Sequence, residues 1–323
     1  MPCFHPLYAS LDIEASRQAK KAVFHFGNVD PDYYRDLVKS GYVSRNRWRH
    51  PLTGFVYHDM LVPCRQCVGC RLEYSRQWAN RMMLELPHHD RDSCYFITLT
   101  YGDDFVPFNS IDLMTLRPDD MTLFLKRLRK RNELVGFRYY YSGEYGDEFD
   151  RPHYHMICFS LKIPDLELLK MTSEGPIFIS RWLDLIWKNG HCFVCQIAWS
   201  DCAYTARYVM KKLKGEAAAE YDAFDLVPEF SRMSRDPGLG SQEFSVENFE
   251  KGILRYVDGR PITVPDAWKR YMLGSDLDVL KRVRDRRSMV SLLNAVQATD
   301  SSLLPSQNLK VKEISILSKI KKL

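Results

Sequence analysis

The sequence predicts an α+β fold in which an antiparallel central sheet is backed by helices in the split βαβ arrangement. Three observations carry that expectation. Strand-like and helix-like segments follow one another as β-α-β-β-α-β-α between residues 95 and 213. A short turn holding Gly146, Asp147 and Pro152 joins the second and third strand-like segments, so those two should pair as a hairpin. Hydrophobic residues make up 45% and aromatics 13%, enough to bury a sizeable core and to exclude wholesale disorder.

The first strand is Tyr95-Phe-Ile-Thr-Leu-Thr-Tyr101, β-rich and alternating. Pro118-Asp119-Asp120 opens a helix with Met121, Phe124, Leu125 and Leu128 on one face. Residues 137–143 and 153–160 read as the second and third strands. A helix follows over 176–188, anchored by Trp182, Ile186 and Trp187 and stopped by Asn189-Gly190. Residues 192–197 form the fourth strand and 203–213 a further helix. Upstream, Tyr74, Trp78, Met82 and Leu86 recur every fourth residue and predict a helix over roughly 71–87. Residues 1–62 are mixed and turn-rich. Beyond Gly215 come an acidic stretch at 216–225, a loop at 236–240, a charged helix near 276–296 and a lysine-rich, solvated tail. The expected division is an accessory region over 1–90, a central domain over 91–216 and a second accessory region with a basic tail over 217–323.

Composition narrows the function classes. With 46 Lys and Arg against 41 Asp and Glu, the net charge is +5, mildly basic and too small alone to prove a polyanion partner. No apolar run approaches the ~18 residues that span a bilayer. The Met-Pro-Cys-Phe-His-Pro start lacks the basic and apolar stretches of a secretory signal. Nine cysteines, scattered or in Cys-x-x-Cys pairs, suit a reducing cytosol. A cytosolic protein without a membrane partner is expected.

Four groups of residues can carry chemistry. His153 and His155 lie two apart on a predicted strand, so both imidazoles reach one point. Glu144 ends the preceding strand, and a hairpin would bring it beside them; two imidazoles and a carboxylate leave open positions on a divalent ion. His191 is the rival third ligand, and a surface hairpin with incidental histidines is the bland reading. Tyr204, Tyr208 and Lys212 fall in one row of a helix with Lys211 close by, a pattern that suits either core packing or a phenol nucleophile with a cationic helper. Lys126, Arg127, Arg129, Lys130 and Arg131 form the densest basic run, either a solvated helix end or phosphate contacts, and residues 281–287 form a second basic stretch. Cys64, Cys67 and Cys70 offer three thiolates to a structural Zn2+, with a fourth ligand from Cys3, Cys94 or His58, or they are buried free thiols. The Gly-x-x-x-x-Gly-Lys-[Ser/Thr] phosphate-binding loop does not occur, so DNA unwinding is not expected of this chain.

These residues resemble a known family. His153-Tyr-His155 is similar to the metal-binding motif of HUH endonucleases, and Phe96-Ile-Thr-Leu-Thr-Tyr101 to their first motif. Tyr204-x-x-x-Tyr208-Val-x-Lys211-Lys212 resembles the two-tyrosine motif of microvirus replication initiators. Cys64-x-x-Cys67-x-x-Cys70-Arg71 before Trp78-Ala79, Gly143-Glu144-Tyr145-Gly146 before Arg151-Pro152-His153, and Ser234-Arg-Asp-Pro237-Gly238 resemble the gokushovirus initiators in particular, over roughly residues 62–242.

The resemblance implies a ferredoxin- or RRM-like HUH domain and a rolling-circle initiator of a single-stranded-DNA phage. It implies site-specific nicking by tyrosine transesterification, giving a 5′-phosphotyrosine and a free 3′-hydroxyl, followed by rejoining. Mg2+ or Mn2+ would sit on Glu144, His153 and His155, with Lys211 or Lys212 stabilising charge. Expected partners are single-stranded and replicative-form phage DNA at the origin and the host helicase, polymerase and single-strand-binding protein, in the cytoplasm of a bacterial host, with a monomer favoured. A plasmid initiator or transposase of the same chemistry is the alternative within the class. A non-catalytic RRM-like binder stacking bases on Tyr139, Tyr140 and Tyr141, and a metallohydrolase that activates water, are alternatives outside it.

Overall fold

A computed structural model describes residues 7–12, 23–26, 47–49, 56–173, 175–197, 201–202, 205–206, 218–257, 259–272, 279 and 282–283. The chain divides into two units, Met1–Glu73 with Leu277–Leu323, and Tyr74–Asp276.

In the first unit, β1 (Leu7–Asp12), β2 (Val23–Phe26), β3 (Arg47–Arg49) and β4 (Val56–Val62) form an antiparallel sheet in the order β2-β1-β4-β3. Local patterning hides this sheet because two of its strands are only four and three residues long; β1 lies against β4, with Leu7 opposite Val62. Helix α1 (Val68–Glu85) follows, three residues earlier than the apolar spacing predicts. The predicted helix near 276–296 falls almost wholly outside the described residues, of which Val279, Arg282 and Val283 are helical.

The second unit is built on a seven-stranded sheet. Its strands are β5 (Tyr95–Tyr101), β6 (Arg138–Tyr145), β7 (Pro152–Phe159), β8 (Glu167–Thr172), β9 (Gly175–Ile179), β10 (Gly190–Gln196) and β11 (Phe230–Met233). The order is β11-β6-β7-β5-β10-β9-β8, and every pairing is antiparallel. The four inner strands stand as second, third, first and fourth in chain order, which is the split βαβ topology expected from the sequence.

Helices α2 (Pro118–Arg131) and α3 (Arg181–Trp187) pack on one face of this sheet. Alternation in β5 turns Tyr95, Ile97, Leu99 and Tyr101 towards them, and α2 answers with Met121, Phe124, Leu125 and Leu128, all buried. Asp119 and Asp120 in the first turn of α2 and Arg129, Lys130 and Arg131 in its last complement the helix dipole. On the opposite face, Trp78 of α1 packs its ring 5.1 Å from that of buried Tyr140 on β6.

The helix expected over 176–188 begins only at Arg181. Residues 175–179 instead form β9, which pairs with β8 and β10. Ser180 makes the break, its Oγ accepting from Leu183 N at 3.1 Å as the N-cap of α3. Ile177, Phe178 and Ile179 suit a strand better than a helix, and the Trp182, Ile186, Trp187 spacing was extended one turn too far. At Gly190 (φ +150°) a Cβ would lie 2.3 Å from Thr100 O and 2.4 Å from Gly102 N, so the entry to β10 needs glycine.

Glu85, at the end of α1, ties three elements together. Its buried carboxylate accepts from His89 Nε2 at 3.1 Å and from Gly240 N at 2.6 Å, and it pairs with Arg138 of β6. The loop at 236–240 is thereby fixed to α1, and Trp268 Nε1 adds a bond to Gly240 O at 3.1 Å. Thr263, in the hairpin of β12 (Ile253–Val257) and β13 (Arg260–Thr263), accepts from Arg76 and Asn80 of α1 at 2.8 and 2.9 Å.

Burial pushes the pKa of Glu85 up, but the bonds from His89 and Gly240 and the charge of Arg138 outweigh it and hold the group below the usual carboxylate range. A lowered folded pKa stabilises the protein above the unfolded value, and that stabilisation is lost as pH falls through the folded value. Urea unfolding should show Glu85→Ala destabilised by about 3–5 kcal/mol at pH 7, because Arg138 is left buried without its partner. In Glu85→Gln the part of the stability loss that sets in below about pH 4.5 should shrink; an identical acid profile would show that Glu85 is not its source.

Candidate functional site

The β6–β7 register determines which side chains can meet. Glu144 lies opposite His153, and Ser142 opposite His155; on the other side β5 sets Thr98 opposite His155. Residues directly opposed across a ladder project from the same face, so Glu144, His153, His155 and Thr98 share the face turned away from α2 and α3. Neither histidine is an incidental side chain on a surface hairpin. Glu144 is 1% and His155 6% exposed, and only His153 reaches moderately into solvent.

Both Nε2 atoms converge on one oxygen. Glu144 Oε1 lies 2.7 Å from His153 Nε2 and 2.9 Å from His155 Nε2, with the two imidazole rings nearly perpendicular and 4.9 Å apart. Each ring is oriented through its other edge. His153 Nδ1 is 3.1 Å from Arg151 O, a carbonyl that only accepts, so this contact orients the ring and would take the Nδ1 proton were Nε2 to bind an ion instead of donating to Glu144. His155 Nδ1 meets Thr98 Oγ1 at 3.0 Å, while the Phe96 ring stacks on the imidazole at 5.4 Å and 15°.

Burial pushes the Glu144 pKa up, but the bonds from His153 and His155 outweigh it and hold the carboxyl at about 2. The group is therefore charged at any working pH. One donor atom from each of the three residues falls within 4.8 Å of the others. Ligands ~2.1 Å from an ion and ~90° apart around it stand about 3 Å from one another, close to the observed Nε2–Oε1 spacings. Two nitrogens and a carboxylate oxygen on one side of an ion leave its remaining positions for a substrate.

The structure keeps His191 out of this cluster: its Nδ1 lies 3.3 Å from Asp184 Oδ2, and its side chain is largely exposed. Tyr204, Tyr208, Lys211 and Lys212 lie outside the described residues. Near them, Asp201, Cys202, Thr205 and Ala206 are helical, and Thr205 Oγ1 donates to Asp201 O at 2.8 Å.

The basic run splits. Lys126, Arg129, Lys130 and Arg131 are exposed. Arg127 is half-buried and donates from Nε and Nη2 to the carbonyls of Ile186 and Trp187, at 2.7 and 3.0 Å, closing the C-terminal end of α3. It is committed to the fold and leaves the set available to phosphates. Residues 281–287 lie outside the described residues apart from Arg282 and Val283. Tyr140 and Tyr141 are 0% and 1% exposed, so the expected three-tyrosine stacking platform is not available to bases.

Cys64, Cys67 and Cys70 bring their sulfurs within 4.8 Å of one another at the start of α1, and Cys67 N–H points at Cys64 Sγ at 3.2 Å. Cys94, buried, donates to Asp90 O at 3.3 Å. Cys3 and the side chain of His58 lie outside the described residues. Sequence reasoning placed Phe96 and Thr98 in a motif without a role; their positions in the sheet show them buttressing His155, a signal readable only once the β5–β7 register is known. Arg151, whose carbonyl contacts His153 Nδ1, had no side-chain signature at all.

Among the described residues no helix is long and apolar enough to cross a membrane. Residues 94–213 match the family described as replication-associated protein ORF2/G2P. The chain is 33% identical over 256 residues to replication-associated protein ORF2 of Spiroplasma virus 4, covering 78% of this chain and 72% of that protein. It is 26% identical over 214 residues to replication-associated protein VP4 of Bdellovibrio phage phiMH2K, covering 63% and 64%. Replication-associated protein ORF4 of Chlamydia phage 1 is 32% identical over 211 residues, 63% of this chain and 49% of that longer protein. No solved structure matches. The match to the Spiroplasma virus protein runs through most of both chains and takes in the whole β5–β10 core, and on that basis this chain belongs to the replication-associated proteins of the microviruses.

Proposed function

We propose that this chain starts rolling-circle replication of a single-stranded-DNA phage by nicking one strand with a tyrosine and later rejoining it. The observation that carries the reading is the convergence of His153 Nε2 and His155 Nε2 on Glu144 Oε1, held in place by Arg151 O and Thr98. A divalent ion, Mg2+ or Mn2+, bound by these three residues would supply Lewis-acid polarisation of the scissile phosphate. Glu144 contributes a buried negative charge that draws the cation, and the two oriented imidazoles would exchange their Nε2 protons for the ion with little rearrangement.

Tyr204 or Tyr208 is the nucleophile of the proposal. Its oxygen attacks phosphorus, the bond from phosphorus to the 3′ oxygen breaks, and the products are a 5′-phosphotyrosine and a free 3′-hydroxyl. One phosphodiester replaces another, so the step runs backwards to ligate. Lys211 or Lys212 would steady the phenolate or the phosphate. A second tyrosine permits a second cleavage while the first is still linked to DNA. The substrates would be single-stranded and replicative-form origin DNA. Because the sequence holds no phosphate-binding loop for ATP, unwinding would fall to a host helicase, with host polymerase and single-strand-binding protein completing the cycle. The protein would act as a monomer in the bacterial cytoplasm.

We propose also that Cys64, Cys67 and Cys70 hold a structural Zn2+. Thiolates ~2.3 Å from a tetrahedral zinc stand about 3.8 Å apart, compatible with sulfurs gathered within 4.8 Å. An iron–sulfur cluster, in which each cysteine binds a different iron, spreads its sulfurs more widely. The N–H of Cys67 aimed at Cys64 Sγ and the N-terminus of α1 both favour negative charge here.

Three tests follow from these assignments. With origin single strand and Mn2+, denaturing gels should show the covalent adduct reduced at least about a hundredfold in His153→Ala and Glu144→Ala, an effect of the size expected when Lewis-acid stabilisation is lost. His153→Ala is the cleaner variant because its side chain is less buried than that of Glu144 or His155; wild-type adduct levels from it would remove the metal centre from the mechanism. For the nucleophiles, Tyr204→Phe and Tyr208→Phe should each keep some adduct while the double variant keeps none; adduct from the double variant would exclude both. For the cysteines, elemental analysis of purified protein should find one zinc per chain, absent from Cys67→Ser, and a thermal midpoint unmoved by chelator would argue for free thiols.

A further inference from the structure

We infer that the edge of the sheet formed by β6 and β11 carries a second, metal-independent binding cleft for single-stranded DNA, separate from the Glu144–His153–His155 cluster. A cavity of about 450 Å³ opens there, lined by Arg129, Phe137, Tyr139, Arg232, Ser234 and Arg235. Its walls are fixed by the backbone. Tyr139 N donates to Ser234 Oγ at 3.1 Å, and Ser234 N donates to Tyr139 O at 2.9 Å. Arg138 sits below, tied to Glu85 and to Pro237 O, and holds the residues after Ser234 against β6.

Three exposed arginines line the opening against a single acid. Arg129, Arg232 and Arg235 are exposed, and none makes an ion pair among the described residues; Asp236 is the one acid in the lining. Aromatic rings alternate with them. Phe137 and Tyr139 stack at 6.1 Å, Arg129 lies 5.3 Å over the Tyr139 ring, and Arg232 lies 5.4 Å over that of Phe230. Phe137 and Tyr139 are only partly buried and line the cavity. Guanidinium groups spread along an edge beside available rings suit an extended strand, with phosphates on arginines and unstacked bases on aromatics. A single phosphate or mononucleotide would call for cations converging on one point instead. A duplex, with its bases stacked inside, would leave the rings unused.

The position gives the cleft its role. Arg232 lies opposite Tyr141, whose side chain belongs to the core under α2 and α3, so the cleft is on that face of the sheet, while Glu144 projects from the other. Along β6, Tyr139 and Glu144 are five residues apart, about 17 Å. DNA held here is therefore not the phosphate being cut. Resting on the nicking reading, it is the flanking strand, carried around the β11 edge several nucleotides from the metal centre.

The test is fluorescence anisotropy of the full chain in EDTA with oligothymidylate of about 16 and about 4 nucleotides. Arg232→Gln with Arg235→Gln should weaken binding of the longer strand about tenfold or more, and lower the slope of log K against log salt by about 1.4, for two lost contacts at ~0.7 each. Tyr139→Leu should weaken it by about tenfold with the slope unchanged, as loss of one stacked base predicts. Lys162→Gln with Lys269→Gln, a charge-matched control on exposed lysines, should change neither. Equal losses in the control, an unchanged slope in the arginine variant, or no effect of Tyr139→Leu would overturn the cleft. So would binding that disappears in His153→Ala, since the DNA would then sit at the metal centre. A chain that binds in EDTA as described but forms no adduct with any metal keeps the cleft and loses the nicking reading.

Discussion

The candidate centre depends on one constraint, the two-residue periodicity of a β-strand locked in a single register. His153 and His155 share a face only because they are two apart, and Glu144 joins them only because β6 pairs with β7 so that it stands opposite His153. A slip of β7 by one residue would turn both histidines into the core beneath α2 and α3 and leave Glu144 behind. The core prevents the slip, since the same alternation sends Tyr154 and Met156 inward to pack with Phe124 and Trp187. Packing on one face thus fixes chemistry on the other.

Chemistry in turn shapes the packing. A carboxylate as buried as Glu144 is costly unless satisfied, and the two imidazoles that satisfy it are the groups that would share an ion with it. Glu85 meets the same problem differently, with His89, Arg138 and the Gly240 amide around it, and its yield is architectural: α1, β6 and the 236–240 loop are joined at one point. These two buried glutamates show one residue type satisfied by two different sets of partners, two imidazoles in one case and an imidazole, a guanidinium and a backbone amide in the other.

Much of this was legible in the sequence, for a physical reason. The β5–β10 core is made of strongly periodic segments, so alternation in 95–101 and the apolar face of 118–131 pointed directly at the elements that form. The His153, His155 and Glu144 grouping needed only a hairpin between neighbouring strands. What escaped carried weak or competing local signals. The β1–β4 sheet includes strands of only three and four residues, too short to show a period, and β9 was absorbed into a helix because the N-cap at Ser180 was overlooked. Arg127 looked like its neighbours in the basic run, and only its carbonyl partners at Ile186 and Trp187 separate it from them.

The turn between β6 and β7 has a different significance from the strands it joins. Strand β7 is held on both sides, by β6 through one ladder and by β5 through the other, so its register does not depend on the connection that leads into it. Residues 147–150 are exposed, and the turn is closed by Gly146 N donating to Arg151 O and Asp150 N to Gly146 O. Length is therefore free to vary between Asp147 and Asp150 in a way it is not within the strands. A peptide tag or a small reporter domain inserted there would ride a few residues from Glu144 and His153 without entering either strand, a ready-made port for labelling the protein.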